Sequence, residues 1–331
     1  MGVISENNKR IVKNTLLLYV RMIFTMVVSL YTSRIVLATL GIDDYGIYNV
    51  VGGVVAMFSV LSGSLSSAIS RFITFELGHG DSKRMKLIFS TSIIIQIVMA
   101  FVVLLVAEIA GVWFINEKMN IPNDRLFAAN WVLQCSILTF IINLISVPYN
   151  ATIIAHEKMS AFAYVSILEV ILKLLIVYLL YMSSYDRLIV YALLLMLVAL
   201  VIRVVYGIYC KKHFAEASYS LIWDRNVFNE MLRFAGWNFL GNTSYILNTQ
   251  GVNMLINLYF GVALNAARGI AVQVDGAVMS FVNNFTVALN PQITKSYASG
   301  DYQYMYKLIN QGTKFSFFIM YFFIVPFVLE T

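Results

Sequence analysis

The sequence predicts an all-α, polytopic transmembrane helical bundle, and three observations carry that expectation. Hydrophobic residues make up 60% of the chain and charged residues only 12%. A soluble domain carries about 25% charged residues, so this chain has too few to cover a water-facing surface. Apolar runs long enough to cross the hydrocarbon core, about 20 residues each, recur from end to end. The segments between them are short, and basic residues concentrate in alternate ones, as they do on the inner face of a membrane. An ordinary cytosolic enzyme, a disordered chain and a disulfide scaffold are thereby excluded.

Nine spans are read, at 13–39, 46–75, 87–114, 126–150, 160–182, 188–210, 231–259, 265–290 and 306–329. Each is too long and too continuously apolar for a barrel strand. The polar stretch 5–13 and the long run behind it do not suit a cleavable signal peptide. One set of loops holds Lys9, Arg10, Lys13, Lys83, Arg84, Lys86, Lys158, Lys211, Lys212, Arg225, Lys295 and Lys307. The other set holds only Lys118, Arg125 and Arg187. The N-terminus is therefore expected on the cytoplasmic side. The net charge of +6 fits this topology better than it fits nucleic-acid binding. The longest loop, 211–230, leaves no room for a catalytic headpiece. Cys135 and Cys210 lie far apart in apolar segments and read as buried thiols. His79, His156 and His213 read as solvated loop residues without metal-ligand spacing.

The chain also repeats itself. A shift of 220 positions places Gly41 on Gly261, Ala68 on Ala288, Ile73-Thr74 on Ile293-Thr294, Gly80-Asp81 on Gly300-Asp301 and Met85 on Met305. The shift moves six spans along, so both copies share one orientation. The expectation is two parallel-repeat lobes of six helices. The first occupies 1–215, and 216–331 supplies the first three helices of the second. The chain is accordingly read as a shortened form of a longer protein.

Polar residues inside the spans carry the functional reading, because ionisable groups in a bilayer face a bundle interior or a wet cavity. Arg21 and Arg34 lie in the first span, Arg71 near the inner end of the second. For each, a side chain reaching back to the interface is the plain alternative. Glu169 and Lys173 in span five stand at i,i+4 spacing and can neutralise each other; an ion-coupled switch is the sharper reading. In span seven, Asn238, Asn242, Tyr245, Thr249 and Asn253 form one face, suited to sugar hydroxyls or to interhelical hydrogen bonds. Span eight presents Arg268 and Asp275 on one sector, ahead of Pro291. Asp275 is a candidate for ion or proton coupling, since burial favours a neutral carboxyl, or for pairing with an arginine. In span two, Gly52, Ser59, Gly63, Ser66 and Ser70 read as a close-packing face. No phosphate-binding GxxxxGK[ST] loop, GxSxG elbow, HExxH pair or potassium-filter sequence occurs.

The segment Tyr31-Thr-Ser-Arg34, followed by Leu40-Gly-Ile-Asp-Asp-Tyr-Gly-Ile-Tyr-Asn-Val-Val-Gly-Gly53, resembles the polysaccharide flippases of bacterial surface-glycan loci. So do Ser70-Arg-Phe72 and Gly80-Asp-Ser-Lys-Arg84. These proteins belong to the superfamily that also holds multidrug and toxic compound extruders. The resemblance implies transport, without a cofactor or metal, of a polyprenyl-diphosphate oligosaccharide across the bacterial inner membrane. Glycan polymerase and other O-antigen or lipopolysaccharide assembly proteins are the implied partners, beside the membrane lipids. Arg21, Arg34 and Arg268 would meet the anionic headgroup and the span-seven face the sugars, with Asp275, Glu169 or Lys173 coupling an ion. A cation extruder is the alternative within the superfamily. A membrane glycan polymerase or ligase is the more distant one, and short outer loops argue against it.

Overall fold

The computed structural model describes residues 2–117, 119, 121–217, 222, 224–260 and 262–329. Some side chains in the later helices, those of Thr249 and Asn253 among them, lie outside that description. Among the described residues the chain is helical and has no strand. It runs α1 (Gly2–Leu40), α2 (Ile42–Ala56), α3 (Ser59–His79), α4 (Ser82–Val106), α5 (Val112–Glu117), α6 (Leu126–Ala155), α7 (Met159–Met182), α8 (Arg187–His213), α9 (Arg225–Phe260), α10 (Val262–Ala298) and α11 (Tyr302–Leu329). One π-helical turn, Ala107–Gly111, joins α4 to α5.

Two expectations need correction. The second span is not one helix: α2 and α3 are separated at Met57-Phe58, where i→i+3 bonds replace the α-helical ladder. The first helix starts at Gly2, before the expected span, and Arg21 lies near its middle.

Among the described residues, six stretches are long and apolar enough to cross a membrane: Lys9–Leu40, Ser82–Glu117, Leu126–Ala155, Met159–Met182, Arg187–His213 and Tyr302–Val325. The expected spans in α3, α9 and α10 are too polar for that set. These three helices pack against one another. The grouping has a physical cause, because polar side chains on a membrane-length helix lower their energy by facing each other rather than lipid. Around them, the largest buried cluster runs from Leu65, Ile69 and Ile73 of α3 through α4, α6, α7 and α8 to Val227, Met231 and Ala235 of α9. A second cluster joins α2, α6 and α8, and Ile11 of α1 packs with Phe285, Leu289 and Leu308 of α10 and α11.

At one end of the bundle the sequence repeat appears as geometry. Gly80 and Gly300 end α3 and α10 with φ of +80° and +78°, a left-handed conformation that glycine adopts without a Cβ penalty. Asp81 and Asp301 then cap the following helices: Asp81 accepts from the N–H of Lys83 and Arg84, and Asp301 from that of Tyr304. Met85 and Met305 each donate to the carbonyl of their capping Asp at 3.0 Å. Ala68 and Ala288 are both fully buried. The Gly41–Gly261 match lies outside the described residues, because residue 261 does. Gly78 and Ala298, also one repeat apart, meet where α3 crosses α10. A Cβ at Gly78 would stand 2.6 Å from that of Ala298 and 2.9 Å from the Lys295 carbonyl.

At the opposite end, Arg125 before α6 is bound by Asp44 of α2 and by Asp186, which caps α8 through the N–H groups of Leu188 and Ile189. Arg187 donates to the Thr39 carbonyl at 3.2 Å. Burial opposes the charge on Asp186, but Arg125 and the two backbone N–H groups outweigh it and hold the carboxyl below its ordinary range. The same carboxylates hold Arg125 above its ordinary value.

Two outcomes follow. Gly78→Leu forces α3 from α10, since the opposing atoms are backbone and a Cβ; it should lower stability by about 1–3 kcal/mol, read as thermal unfolding in detergent. For Asp186 the folded-state pKa is depressed, so its contribution is complete above the ordinary carboxylate range, about pH 4, and fades as pH falls through the depressed value. Asp186→Asn keeps a helix cap but loses the charge. It should cost about 1 kcal/mol near neutral pH and narrow its gap to wild type on acidification, measured by melting across that range.

Candidate functional site

The polar helices enclose the candidate site. A cavity of about 460 Å³ lies between α3 and α10, lined by Gly63, Ser66, Ser67, Ser70, Arg71 and Thr74 on one side and by Val287, Asn290, Pro291 and Thr294 on the other, with Ile154 of α6. The volume lies in the range of small-molecule clefts, about 300–1,000 Å³. Pro291 sits inside α10 and has no N–H, so it leaves the Val287 carbonyl without its ladder partner, and Val287 lines the same cavity. The lining thus offers hydroxyls, an amide and one guanidinium, and among the described residues it contains no carboxylate. Arg71 lies with its guanidinium carbon 4.4 Å from the centre of the Phe234 ring of α9. A guanidinium set over a ring in this way can still offer N–H groups to an acceptor.

The small-residue face of span two therefore acts differently from the expected packing seam. The break at Met57-Phe58 puts Gly52 on α2, while Gly63, Ser66 and Ser70 line the cavity. The wide spacing of α3 and α10 here, against their contact at Gly78–Ala298, is a tertiary fact that spacing along one helix does not contain.

The expected arginines are not gathered at one point. Arg21 on α1 donates to Asn284 Oδ1 of α10 at 3.1 Å and lies 4.5 Å over the Phe162 ring of α7. It is a fixed tie between three helices, not a side chain that reaches an interface. Arg34 is exposed on α1, about 20 Å of helical rise beyond Arg21. Arg268 is partly buried in the first turns of α10.

The expected sugar face on α9 is divided. Asn242 donates to Ser64 of α3 at 3.0 Å, an interhelical bond of the kind the alternative reading describes. Asn238 Nδ2 is buried without a hydrogen-bond partner, and Tyr245 is exposed. The side chains of Thr249 and Asn253 lie outside the described residues.

Glu169 and Lys173 form the intrahelical pair, 2.6 Å apart. They also line a second cavity, about 240 Å³, with Tyr48 and Gly52 of α2, Ser136, Thr139 and Asn143 of α6, and residues of α8. Asp275 is exposed on α10 rather than buried. His156 departs from its solvated reading: it binds Glu216, between α8 and α9, and stacks on Phe214 at 4.2 Å. Burial works against the Glu216 charge, but the His156 bond outweighs it and keeps the carboxyl below its usual range. Arg71 and Asn290 were present in the sequence as polar residues on a helix. Only the crossing of α3 and α10 makes them neighbours. Cys135 and Cys210 are buried free thiols, and no His/Cys/Asp/Glu group among the described residues could hold a metal ion.

A helical bundle of this kind, with its polar helices packed on one another, is the architecture of a class of multi-pass membrane proteins whose structures are known. The chain aligns over 95% of its length with an outward-facing multidrug resistance MATE family transporter of the MOP superfamily (TM-score 0.78, 15% identity, 70% of that chain). It aligns equally far with MATE in the straight conformation (TM-score 0.81, 13% identity, 70% of that chain). A MOP superfamily transporter from Pyrococcus furiosus, described by the reverse polarity of its binding pocket, matches at TM-score 0.76, 15% identity and 70% of that chain. At these identities the likeness establishes the fold. The chain itself belongs to the polysaccharide biosynthesis protein family, whose model matches residues 11–327. It is 18% identical over 294 residues to the uncharacterized membrane protein EpsK of Bacillus subtilis (strain 168), covering 88% of this chain and 58% of that protein. The chain thus spans under two thirds of that relative's length.

The Arg21–Asn284 tie gives a direct outcome. Asn284→Ala leaves the guanidinium with the Phe162 ring but without its amide acceptor, and should cost about 1–3 kcal/mol. Arg21→Lys should fail to match wild type, because an ammonium loses the planar stacking. Thermal melts of both variants in detergent measure this.

Proposed function

We propose that the chain is a flippase, or the larger part of one, that moves a lipid-linked, polyprenyl-diphosphate oligosaccharide across the bacterial inner membrane for surface-polysaccharide assembly of the O-antigen kind. The observation that carries the reading is the α3–α10 cavity, whose lining combines the Arg71 guanidinium with hydroxyls and an amide and, among the described residues, has no carboxylate. A sugar phosphate needs a forked cation for its oxygens and paired donors and acceptors for its hydroxyls. An organic cation needs acids and aromatic faces instead. Family membership over 11–327 supports the same direction.

In this reading residues 1–215 form one lobe and 216–331 begin the second, with the N-terminus in the cytoplasm. The headgroup is sheltered between the lobes while the lipid tail stays in the bilayer, and a rocking motion exposes the cavity to each side in turn. Arg34 and Arg268 guide the anion along the path to the cavity, and the α9 face contacts sugar. Glu169 or Asp275 couples the motion to an ion gradient. Glycan polymerase and other assembly proteins receive the product. The chain performs transport rather than covalent chemistry.

A cation extruder is the second reading. The Glu169-bearing cavity and the MATE structures favour it, although Lys173 already neutralises that carboxylate. The two separate in one experiment on the purified protein in detergent. Thermal stabilisation is measured with a polyprenyl-diphosphate oligosaccharide and with a hydrophobic cationic dye, for wild type and Arg71→Ala, at low and high salt. The flippase reading expects stabilisation by the glycolipid alone. High salt should weaken it, and Arg71→Ala should reduce glycolipid affinity about tenfold or more, the loss of one charge-assisted hydrogen bond. Stabilisation by the dye alone overturns it in favour of the extruder.

A further inference from the structure

Glu157 is a buried carboxylate bound by three side chains from two other helices, and nothing in the transport site uses it. It lies in the tight turn between α6 and α7, with its side chain 2% exposed. Its backbone is left-handed, with φ of +57°, the one non-glycine residue described in that region. Glutamate has no intrinsic preference for this conformation, so its partners hold it there. Arg10 Nε of α1 stands 2.8 Å from Oε2, and Gln292 Nε2 of α10 donates to the same oxygen at 2.6 Å. Lys295 Nζ of α10 lies 2.6 Å from Oε1. The backbone carbonyl of Glu157 accepts from Asn14 of α1 at 3.3 Å. One buried carboxylate thus binds two cations and an amide from the first and tenth helices.

The position of the network matters as much as its strength. Lys295 is also the residue whose carbonyl faces Gly78 at the α3–α10 crossing, which seals the end of the bundle below the Arg71 cavity. The adjacent His156 binds Glu216, in the connection that leads from α8 to α9. The turn at 156–157 therefore touches α1, α10 and the chain segment between the two proposed lobes. A charge network with good geometry is costly to break from one side, because the orphaned group stays buried. It opens readily only when all its members separate together and rehydrate. Those are the requirements of a two-state contact.

We infer that Glu157 is a latch that holds this end of the bundle closed, tying α10 to the α6–α7 turn, and that releasing Lys295 and Gln292 from it lets α3 and α10 part. The inference rests on the alternating-access reading for its purpose but not for its geometry. With the carboxylate neutralised, the ion pairs to Arg10 and Lys295 are lost together.

The test places spin labels on cysteines at His79 and Ser299, both exposed at the ends of α3 and α10, in protein reconstituted in lipid. Wild type should give mainly one short distance. Glu157→Gln should add a second, longer population, and so should the pair Lys295→Met with Gln292→Leu, which leaves the Arg10–Glu157 contact in place. Should Glu157→Gln fail to fold, the α10 pair reads the same motion. Unchanged distances in the α10 pair, with or without lowered melting temperature, overturn the latch and leave Glu157 a purely structural group. Transport of the lipid-linked saccharide into vesicles is measured in parallel. Unchanged distances with intact transport overturn the latch alone. Lengthened distances in a protein that moves no saccharide support the latch and overturn the proposed function.

Discussion

A polar side chain on a membrane-length helix has no water to bond, and the architecture follows from that constraint. The helices that can meet lipid on their own terms, α1, α4, α6, α7, α8 and α11, are those apolar enough to span a bilayer. The helices that cannot, α3, α9 and α10, pack on one another. Each of their polar groups then has a few choices. It bonds across helices, as Asn242 does with Ser64. It bonds its own backbone, as Thr74 does with the Ser70 carbonyl. Or it lines a space large enough for a polar ligand, as Ser66, Ser70 and Asn290 do. The cavity is thus an outcome of the same rule that places the helices.

The two ends of the bundle close on charge rather than on apolar contact. Arg125 gathers Asp44 and Asp186 at one end, and Glu157 gathers Arg10 and Lys295 at the other. The two networks are mirror images in sign: a cation between two acids, and an acid between two cations. They differ in what they join. The first ties α2, α6 and α8, while the second ties α10 to α1 and the α6–α7 turn. The second holds α10, which forms one wall of the Arg71 cavity, against the α6–α7 turn, so its loss bears on that cavity, whereas loss of the first loosens a corner.

The comparisons sharpen this picture without settling cargo. The solved structures that share the fold are at 15% identity or lower among those named here, and a shared fold hosts different cargoes. What distinguishes one cargo from another is the charge of the lining. In this chain the α3–α10 cavity is lined, among the described residues, by a guanidinium and no acid, while the carboxylate-bearing cavity holds its own lysine. The proposed cargo follows from that difference, and the polysaccharide biosynthesis family agrees with it.

Much of the fold could be read from composition and periodicity, because lipid imposes a length and a polarity on each span independently of its neighbours. The helical class, the short connections, the Gly-Asp repeat and the Glu169–Lys173 pair all depend on residues close in sequence. The break at Met57-Phe58 was hidden, since it involves two apolar residues that carry no turn signal. Contacts between distant segments were hidden for a different reason. Nothing in α1 alone says that Arg21 meets Asn284 and Phe162, and nothing in a three-residue loop says that His156 and Glu157 will be its two most connected side chains. Sequence by itself determined which residues are too polar for lipid. Tertiary structure decided which of them face each other and which face an open cavity, because that depends on the angle and spacing at which α3 and α10 cross, and those are set at Gly78 and Ala298.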